Sequence, residues 1–217
     1  SFGKETAKGY KKSDLKEFWH FGQELDINDP LFKEYEPNVF CHDLPNFNKI
    51  GRQVFNILEE TGLIILQAIA LHLKLPETYF DKNVTGGNSI LRAIHYPPIQ
   101  TEPKGAVRAA AHGDINLITV LISGSQPGLE VLNSEKQWVP VDSNKGWLVI
   151  NSGDMLNKCS NGYFPSTIHR VVNPDKSRNV SRYSMPLFLH PRDEVVLNEK
   201  YTALSYLEKR LKALGLK

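Results

Sequence analysis

The chain of 217 residues has little cysteine and almost no net charge. Its two cysteines, Cys41 and Cys159, are too few for a disulfide framework, and neither lies in a Cys-x-x-Cys pair that would indicate a zinc ribbon or a thioredoxin-like site. The 26 Lys and Arg residues are scattered along the sequence and leave a net charge of only +2. We therefore expect a reducing, cytoplasmic location and no nucleic-acid partner.

Long apolar runs and a signal peptide are also absent from the sequence. The longest apolar stretch, residues 63–73, is interrupted by Gln67 and His72 and is too short to span a bilayer. We therefore expect no membrane partner. The first residue is Ser1 rather than Met, so we interpret the sequence as a fragment, or as a chain whose start is not included.

The region 46–75 has apolar residues spaced by three and four, which predicts an amphipathic helix. Pro76 should end this helix, which would be about 42 Å long at 1.5 Å per residue. We expect it to brace one side of a domain, and a second helix is predicted over 202–214. The predicted core-facing stripe of the long helix consists of Phe47, Ile50, Val54, Ile57, Leu58, Thr61, Ile65, Ala68, Ile69 and His72.

Between 88 and 192 the pattern changes to short β-rich runs separated by turn residues. Strands are predicted at 89–96, 106–111, 117–122, 129–132, 138–140, 147–151, 167–172 and 181–189. Eight strands with no helix between them favour a jelly roll over a parallel sheet. The predicted fold class is mainly β with flanking α, and three parts should form one structural domain: a polar segment with the long helix (1–87), the jelly-roll core (88–192) and a C-terminal helix (193–217).

A possible metal site begins at His112-Gly113-Asp114, because residues i and i+2 of a strand point to the same face. His169, in another predicted strand, could supply a third ligand. Two imidazoles and one carboxylate form the facial triad of non-haem Fe(II) oxygenases, although the same ligands could also hold zinc. A His-x-Asp by itself is common, and a single strand histidine is often only a packed or surface residue.

Arg182 and Ser184 repeat the i, i+2 spacing on the last strong strand. A buried guanidinium beside a hydroxyl suits a carboxylate ligand, since Arg offers a bidentate, charge-assisted fork and Ser adds a donor. The other interpretation is a structural salt bridge between Arg182 and an Asp or Glu. The preceding His-x-Asp and His169 favour the ligand interpretation.

Taken together, these motifs resemble the isopenicillin N synthase-like branch of the Fe(II)/2-oxoglutarate-dependent dioxygenases, over about half of the chain. The resemblance implies a double-stranded β-helix with His112, Asp114 and His169 as iron ligands. It further implies that Arg182 and Ser184 hold the distal carboxylate of 2-oxoglutarate. The matching segments are Leu-Arg-Ala-Ile-His-Tyr-Pro at 91–97, His-Gly-Asp at 112–114, Leu-Ile-Thr-Val-Leu at 117–121, Gly-Leu-Glu-Val at 128–131, Trp138, Val-Ile-Asn-Ser-Gly-Asp-Met-Leu at 149–156, Ser-Asn-Gly at 160–162, Ser-Thr-Ile-His-Arg-Val at 166–171 and Arg-Tyr-Ser at 182–184.

Tyr96 matches a tyrosine that reaches the co-substrate in several relatives, although it could equally be a rim aromatic. The chain departs from the family in lacking the Gly-Phe-Phe and Asn-His-Gly motifs ahead of the long helix. It also has Ile94 where plant members often have Asn, so one polar contact to the co-substrate is absent or replaced.

The implied function is an oxygenase that uses Fe(II), O2 and 2-oxoglutarate. Oxidative decarboxylation of 2-oxoglutarate would be coupled to hydroxylation, desaturation or cyclisation of a small molecule, and we expect a monomer. The alternatives are an iron oxidase that does not use 2-oxoglutarate, a non-catalytic metal-binding or sensor protein on the same barrel, and a zinc hydrolase.

Overall fold

A five-stranded sheet and a four-stranded sheet form the centre of the computed structural model, which describes residues 6, 9, 12–33, 35–101, 103–142, 144 and 146–215. The strands are β1 (Glu17–Gly22), β2 (Ile90–Tyr96), β3 (Ala109–His112), β4 (Ile118–Ile122), β5 (Leu129–Leu132), β6 (Trp138–Pro140), β7 (Leu148–Ser152), β8 (His169–Val171), β9 (Arg182–Leu189), β10 (Val196–Asn198) and β11 (Tyr201–Thr202). The helices are α1 (Pro45–His72), α2 (Asp81–Val84), α3 (Asp154–Cys159) and α4 (Ala203–Leu214).

The two main sheets are antiparallel and face each other as a jelly roll. The larger has the order β1-β2-β9-β4-β7, and the smaller has the order β3-β8-β5-β6. Non-consecutive strands are therefore neighbours, as a jelly roll requires. The predicted mainly β fold with flanking helices is confirmed, and each of the eight predicted strands is present with ends shifted by at most three residues.

Alternating residues give the five-stranded sheet two different faces. On β4, Ile118 and Val120 belong to the large apolar core shared with α1, whereas Leu121 belongs to a smaller cluster between the sheets. The same alternation on β9 sends Leu187 and Leu189 to the α1 side, where both are fully buried. The opposite face is left to line the interior of the barrel.

Helix α1 confirms the predicted long helix, but the predicted buried stripe is partly wrong. Ile50 and Ile57 are 55% and 61% exposed. The residues that are fully buried on α1 are Gly51, Phe55, Leu58, Gly62, Leu66 and Ala70. Leu58 belongs to both sets, but apolar residues also occur on the exposed side of α1 and the two glycines contribute nothing to a hydrophobic count, so spacing alone does not identify the buried face.

The two glycines of α1 allow it to approach the sheet closely. A Cβ added at Gly62 would lie 2.8 Å from Leu189 Cδ2, and one added at Gly51 would overlap the ring of Phe21. By length and composition, α1 would also be long and apolar enough to cross a membrane, alone among the helices of the described residues. Its buried face packs against Phe21, Val120 and Leu189, whereas Ile57, Ile64 and Leu71 on α1 are more than half exposed.

The N-terminal segment forms a strand that the sequence did not predict. β1 pairs antiparallel with β2 over six residues, from Glu17 opposite His95 to Gly22 opposite Ile90. Just before β1, the buried Asp14 accepts a hydrogen bond from Ala110 N of β3 at 3.0 Å. This segment therefore connects the two sheets at the end that carries the metal motif.

Candidate metal centre

The three predicted iron ligands lie together between the two sheets. His112 ends β3 and His169 begins β8, where the two residues are direct cross-strand partners. Asp114 lies two residues after His112. One potential ligand atom from each of the three side chains lies within 4.8 Å of the others. The distance from Asp114 Oδ1 is 4.0 Å to His112 Nε2 and 3.8 Å to His169 Nε2. This convergence of two imidazoles and one carboxylate fits Fe(II).

Backbone carbonyls orient both imidazoles. His112 Nδ1 lies 2.7 Å from the carbonyl oxygen of Ala110, and His169 Nδ1 lies 3.1 Å from that of Thr167. Because a carbonyl can only accept, both Nδ1 atoms donate and each Nε2 keeps its lone pair for a metal. The short β3 and β8 ladders therefore select the tautomer that a metal ligand needs.

The carboxylate is also held in place by hydrogen bonds. Thr119 Oγ1 donates to Asp114 Oδ2 at 2.6 Å, and Thr119 in turn accepts from Asn116 Nδ2 at 3.1 Å. These contacts occupy Oδ2 and leave Oδ1 facing the two Nε2 atoms. Asp114 is only 5% exposed, so a carboxylate there needs a cation, and a divalent metal ion would provide it.

Burial keeps the imidazole of His112 neutral. The pKa of His112 is lowered to about 4, first by burial and then by the positive charge that His169 can carry. Burial likewise lowers the pKa of His190, on the loop after β9, to about 4. Neutral imidazole is the form that binds a metal ion, so His112 suits that role at physiological pH.

Arg182 and Ser184 lie on the interior face of β9, and Tyr96 of β2 lies directly opposite Arg182. All three are buried, and the Arg182 guanidinium carbon lies 5.2 Å from the centre of the Tyr96 ring. Arg182 Nε donates to the carbonyl of Gln126 at 3.0 Å, while Nη1 has no partner among the described residues. Gly124 leaves room for the guanidinium, because a Cβ there would overlap it.

The salt-bridge alternative for Arg182 is not supported within the described residues, where no carboxylate lies within 4.0 Å of its guanidinium. A buried guanidinium with an unpaired nitrogen has a large desolvation cost that a ligand carboxylate would offset. The donor set formed by Arg182, Ser184 and Tyr96 therefore fits the distal end of a dicarboxylate such as 2-oxoglutarate.

Two cavities meet at His112 and Asp114, two of the three candidate ligands. An inner cavity of about 60 Å³ runs from His112, Asp114 and His169 to Arg182 and Ser184. An outer cavity of about 270 Å³ lies on the other side of His112 and Asp114 and reaches α4. The two share five lining residues: Lys16, Arg92, His112, Asp114 and Phe188.

Lys16 and Arg92 were not predicted as site residues. Lys16 is 6% exposed and donates to Asp14 Oδ2 at 2.8 Å, and Arg92 Nε donates to His20 Nε2 at 2.8 Å. Lys16 stands in a polar segment with no sequence signal of burial, and only the pairing of β1 with β2 carries it inside. The position of Arg92 inside the barrel could have been predicted from the alternation of β2, since Arg92, Ile94 and Tyr96 share one face of that strand.

A jelly roll that carries two histidines and one carboxylate at its mouth defines a class, the non-haem Fe(II) oxygenases. The sequence pattern of the 2OG-Fe(II) oxygenase superfamily matches residues 87–191, a range that includes the three candidate metal ligands and Tyr96, Arg182 and Ser184. Together with the relatives described next, this match shows that the chain belongs to the 2OG-Fe(II) oxygenase superfamily.

Solved structures of relatives share both fold and sequence with this chain. A 2OG-Fe(II) oxygenase family protein from Caulobacter crescentus is 42% identical with a TM-score of 0.84, over 97% of this chain and 73% of that one. A full-length protein from Neurospora crassa, crystallised in complex with alpha-KG (2-oxoglutarate), is 30% identical with a TM-score of 0.78, over 92% of this chain and 66% of that one.

The curated relatives are longer than this chain. The 2-oxoglutarate-Fe(II) type oxidoreductase hxnY of Emericella nidulans is 30% identical over 185 residues, which cover 81% of this chain and 52% of that protein. The chain thus spans about half the length of the curated relatives that it matches.

Proposed function

We propose that this chain carries the catalytic core of an Fe(II)- and 2-oxoglutarate-dependent oxygenase that oxidises a small organic molecule. His112, Asp114 and His169 would hold the iron, and Arg182 and Ser184 would hold the distal carboxylate of 2-oxoglutarate. The convergence of the inner and outer cavities on His112 and Asp114 carries this proposal, because it gives the co-substrate and the substrate separate places beside one metal ion.

Bound iron would activate O2 so that 2-oxoglutarate is oxidised to succinate and CO2 while the substrate is oxidised. The protein's own contribution is orientation. The carbonyls of Ala110 and Thr167 fix the imidazoles, and Thr119 fixes the carboxylate. At the far end of the inner cavity, Arg182 would fix the co-substrate by its distal carboxylate, and the Tyr96 ring closes the wall beside it.

The outer cavity is proposed as the substrate site. Its apolar wall comes from Ile90, Ile115 and Phe188 and from the C-terminal helix, which contributes Leu207, Leu211 and Leu214. Lys16, Arg92 and His190 supply polar groups nearer the metal site. Such a cavity suits a small molecule with an apolar body, and whether that molecule is hydroxylated, desaturated or cyclised depends on how it sits beside the iron.

Other parts of the proposal rest on the sequence. The chain's place in the isopenicillin N synthase-like branch rests on the motifs at 91–97, 112–114, 166–171 and 182–184. A cytoplasmic, monomeric protein without a nucleic-acid or membrane partner is proposed from its composition.

The test is succinate formation from 2-oxoglutarate in air, with and without Fe(II), using anaerobically prepared and metal-stripped protein. We expect succinate only when Fe(II) is present, and its loss in Asp114→Ala. The matched control is Asp142→Ala, because Asp142 is an exposed carboxylate away from the site. Iron binding without 2-oxoglutarate binding would refute the co-substrate, and Asp114→Ala protein that binds Fe(II) like the wild type would refute the metal site.

A further inference from the structure

A second buried arginine, Arg108, lies close to Arg182 and has no role in the proposal above. Arg108 immediately precedes β3 and is 1% exposed, as is Arg182. Its Nη2 donates to the carbonyl of Val180 at 2.6 Å, two residues before Arg182. Its backbone N–H donates to Asn173 Oδ1 at 3.0 Å, just beyond β8. The two guanidiniums therefore occupy the same end of the barrel.

This end of the barrel is the one away from the metal ligands. Arg108 and His112 are four residues apart along β3, which is about 13 Å at 3.3 Å per residue. On β9 and β2, Arg182 and Tyr96 are paired at the same end. A ligand chelated at His112, Asp114 and His169 would therefore extend towards Arg182, with Arg108 beyond it.

The positive charges of the two arginines are not balanced by any acidic group among the described residues. Neither makes an ion pair there, and the neighbours that bond them are neutral: the carbonyls of Val180 and Gln126. Arg108 Nε and Arg182 Nη1 are buried with no hydrogen-bond partner in the described part of the chain. Guanidinium groups stay protonated in proteins, so both charges persist.

The nearby ionisable groups do not supply the missing negative charge. The phenol of Tyr96 stays neutral, because burial raises its pKa. Asp14 is matched by Lys16, whose Nζ lies 2.8 Å from its carboxylate. The pKa of Arg108 is lowered by burial and then by the charge of Arg182, as expected for two like charges that share a site.

We infer that Arg108 is a positioning residue that makes the inner cavity selective for 2-oxo acids with a second, distal carboxylate. It acts through Arg182, whose charge it reinforces at the closed end of the cavity, where the distal carboxylate would neutralise the pair. The hydrogen bond from Arg108 to the carbonyl of Val180 also fixes the backbone just before β9, so that Arg182 faces the cavity. This inference rests on the proposed use of 2-oxoglutarate.

The test compares the affinities of two 2-oxo acids for Mn(II)-loaded protein, measured by titration calorimetry in the absence of turnover. 2-Oxoglutarate has the distal carboxylate and 2-oxopentanoate does not. In Arg108→Gln, we expect the Kd for 2-oxoglutarate to rise about tenfold, the effect of losing one charge in a partly desolvated site, with the Kd for 2-oxopentanoate changed less than about twofold. Arg108→Lys, which keeps the charge, should retain most of the selectivity.

The control is Arg178→Gln, which removes one positive charge from an exposed position near Val180 and should change neither Kd. If Arg108→Gln does not fold, Arg108→Met carries the same expectation without a buried polar group. Equal changes for both acids, no change for either, or the same loss of selectivity in Arg108→Lys would overturn the inference. Wild-type protein that binds neither acid would instead refute the proposed co-substrate.

Discussion

The two faces of the five-stranded sheet are packed against very different partners. The outer face meets α1 in a continuous apolar core that includes Leu58, Leu66, Val120, Leu187 and Leu189. The inner face meets the smaller sheet around a cluster that, among the described residues, contains six buried hydrophobic side chains. The side chains that could bind a metal ion or a carboxylate, namely the two histidines, Asp114 and Arg182, all lie between the sheets.

This division separates stability from binding. Burial of apolar surface against α1 stabilises the fold, whereas buried polar groups inside the barrel cost desolvation energy. The barrel can keep such groups because the outer core holds the strands that carry them. Substitutions on α1 should therefore change the unfolding free energy, and substitutions inside the barrel should mainly change affinity for metal and co-substrate.

The largest expected effect is on stability, from Leu66→Ala. Leu66 is completely buried against the sheet, so its truncation should lower the free energy of unfolding by about 3 kcal/mol. The matched control is Ile64→Ala on the same helix, which is 65% exposed and should cost less than about 0.5 kcal/mol. Urea denaturation measures both, and similar costs for the two variants would contradict the placement of the buried face.

The next effect should fall on binding. In Thr119→Val, Asp114 loses the hydrogen bond at Oδ2, and we expect a drop of about tenfold in Mn(II) affinity, the usual effect of removing a group that orients a metal ligand. Thr61→Val is the control, because Thr61 bonds only the carbonyl of Ile57 on the exposed side of α1. Unchanged Mn(II) affinity in Thr119→Val would show that the carboxylate needs no such support.

The smallest effect should come from the cap of α4, which is outside both cores. Thr202 Oγ1 accepts from Ser205 N at 3.3 Å and completes a capping box. Thr202→Ala should lower the unfolding free energy by about 1 kcal/mol, and Thr202→Ser should restore most of it. Thermal unfolding with and without ligand distinguishes loss of stability from loss of binding, and a cost above that of Leu66→Ala would break the proposed ranking.

The contacts of α4 link the Thr202→Ala substitution to the candidate metal centre. Arg210 of α4 forms an ion pair with Asp154, and Tyr206 Oη donates to the same carboxylate at 2.9 Å. Asp154 N in turn donates to the carbonyl of Asp114 at 2.8 Å. Asp154 therefore connects α4, which lines the outer cavity, to the backbone of the candidate ligand Asp114.

Most of the site residues that sequence patterns predicted lie on regular strands, whereas Asp114 lies two residues beyond the end of β3. His112, His169, Arg182 and Ser184 follow the period of two, so their common face can be inferred without coordinates. Among the residues that were missed, Arg92 lies within β2, whereas Lys16 and Arg108 each lie immediately before a strand. Their burial depends on where a preceding segment crosses the barrel, and no local periodicity records that.

The buried face of α1 shows the same limit. Its apolar spacing predicted the helix itself, because periodicity is a local property of the chain. Which residues face the sheet depends on Gly51 and Gly62, where the absence of a side chain lets Phe21 and Leu189 come close. A hydrophobic pattern does not predict a close contact that depends on the absence of a side chain at a glycine.

The sequence by itself determined the mainly β class, the long supporting helix and the residues of the candidate iron and carboxylate sites. The class and the helix follow from spacing within short stretches of chain, whereas the two candidate sites were inferred from several short motifs together with the family resemblance that these motifs carry. Only the tertiary structure decided that Lys16 lines the cavities, that Arg108 and Arg182 share one end of the barrel, and that the two cavities meet at His112 and Asp114. These relations join residues that are far apart in sequence, and the packing of the two sheets and α1 brings them together.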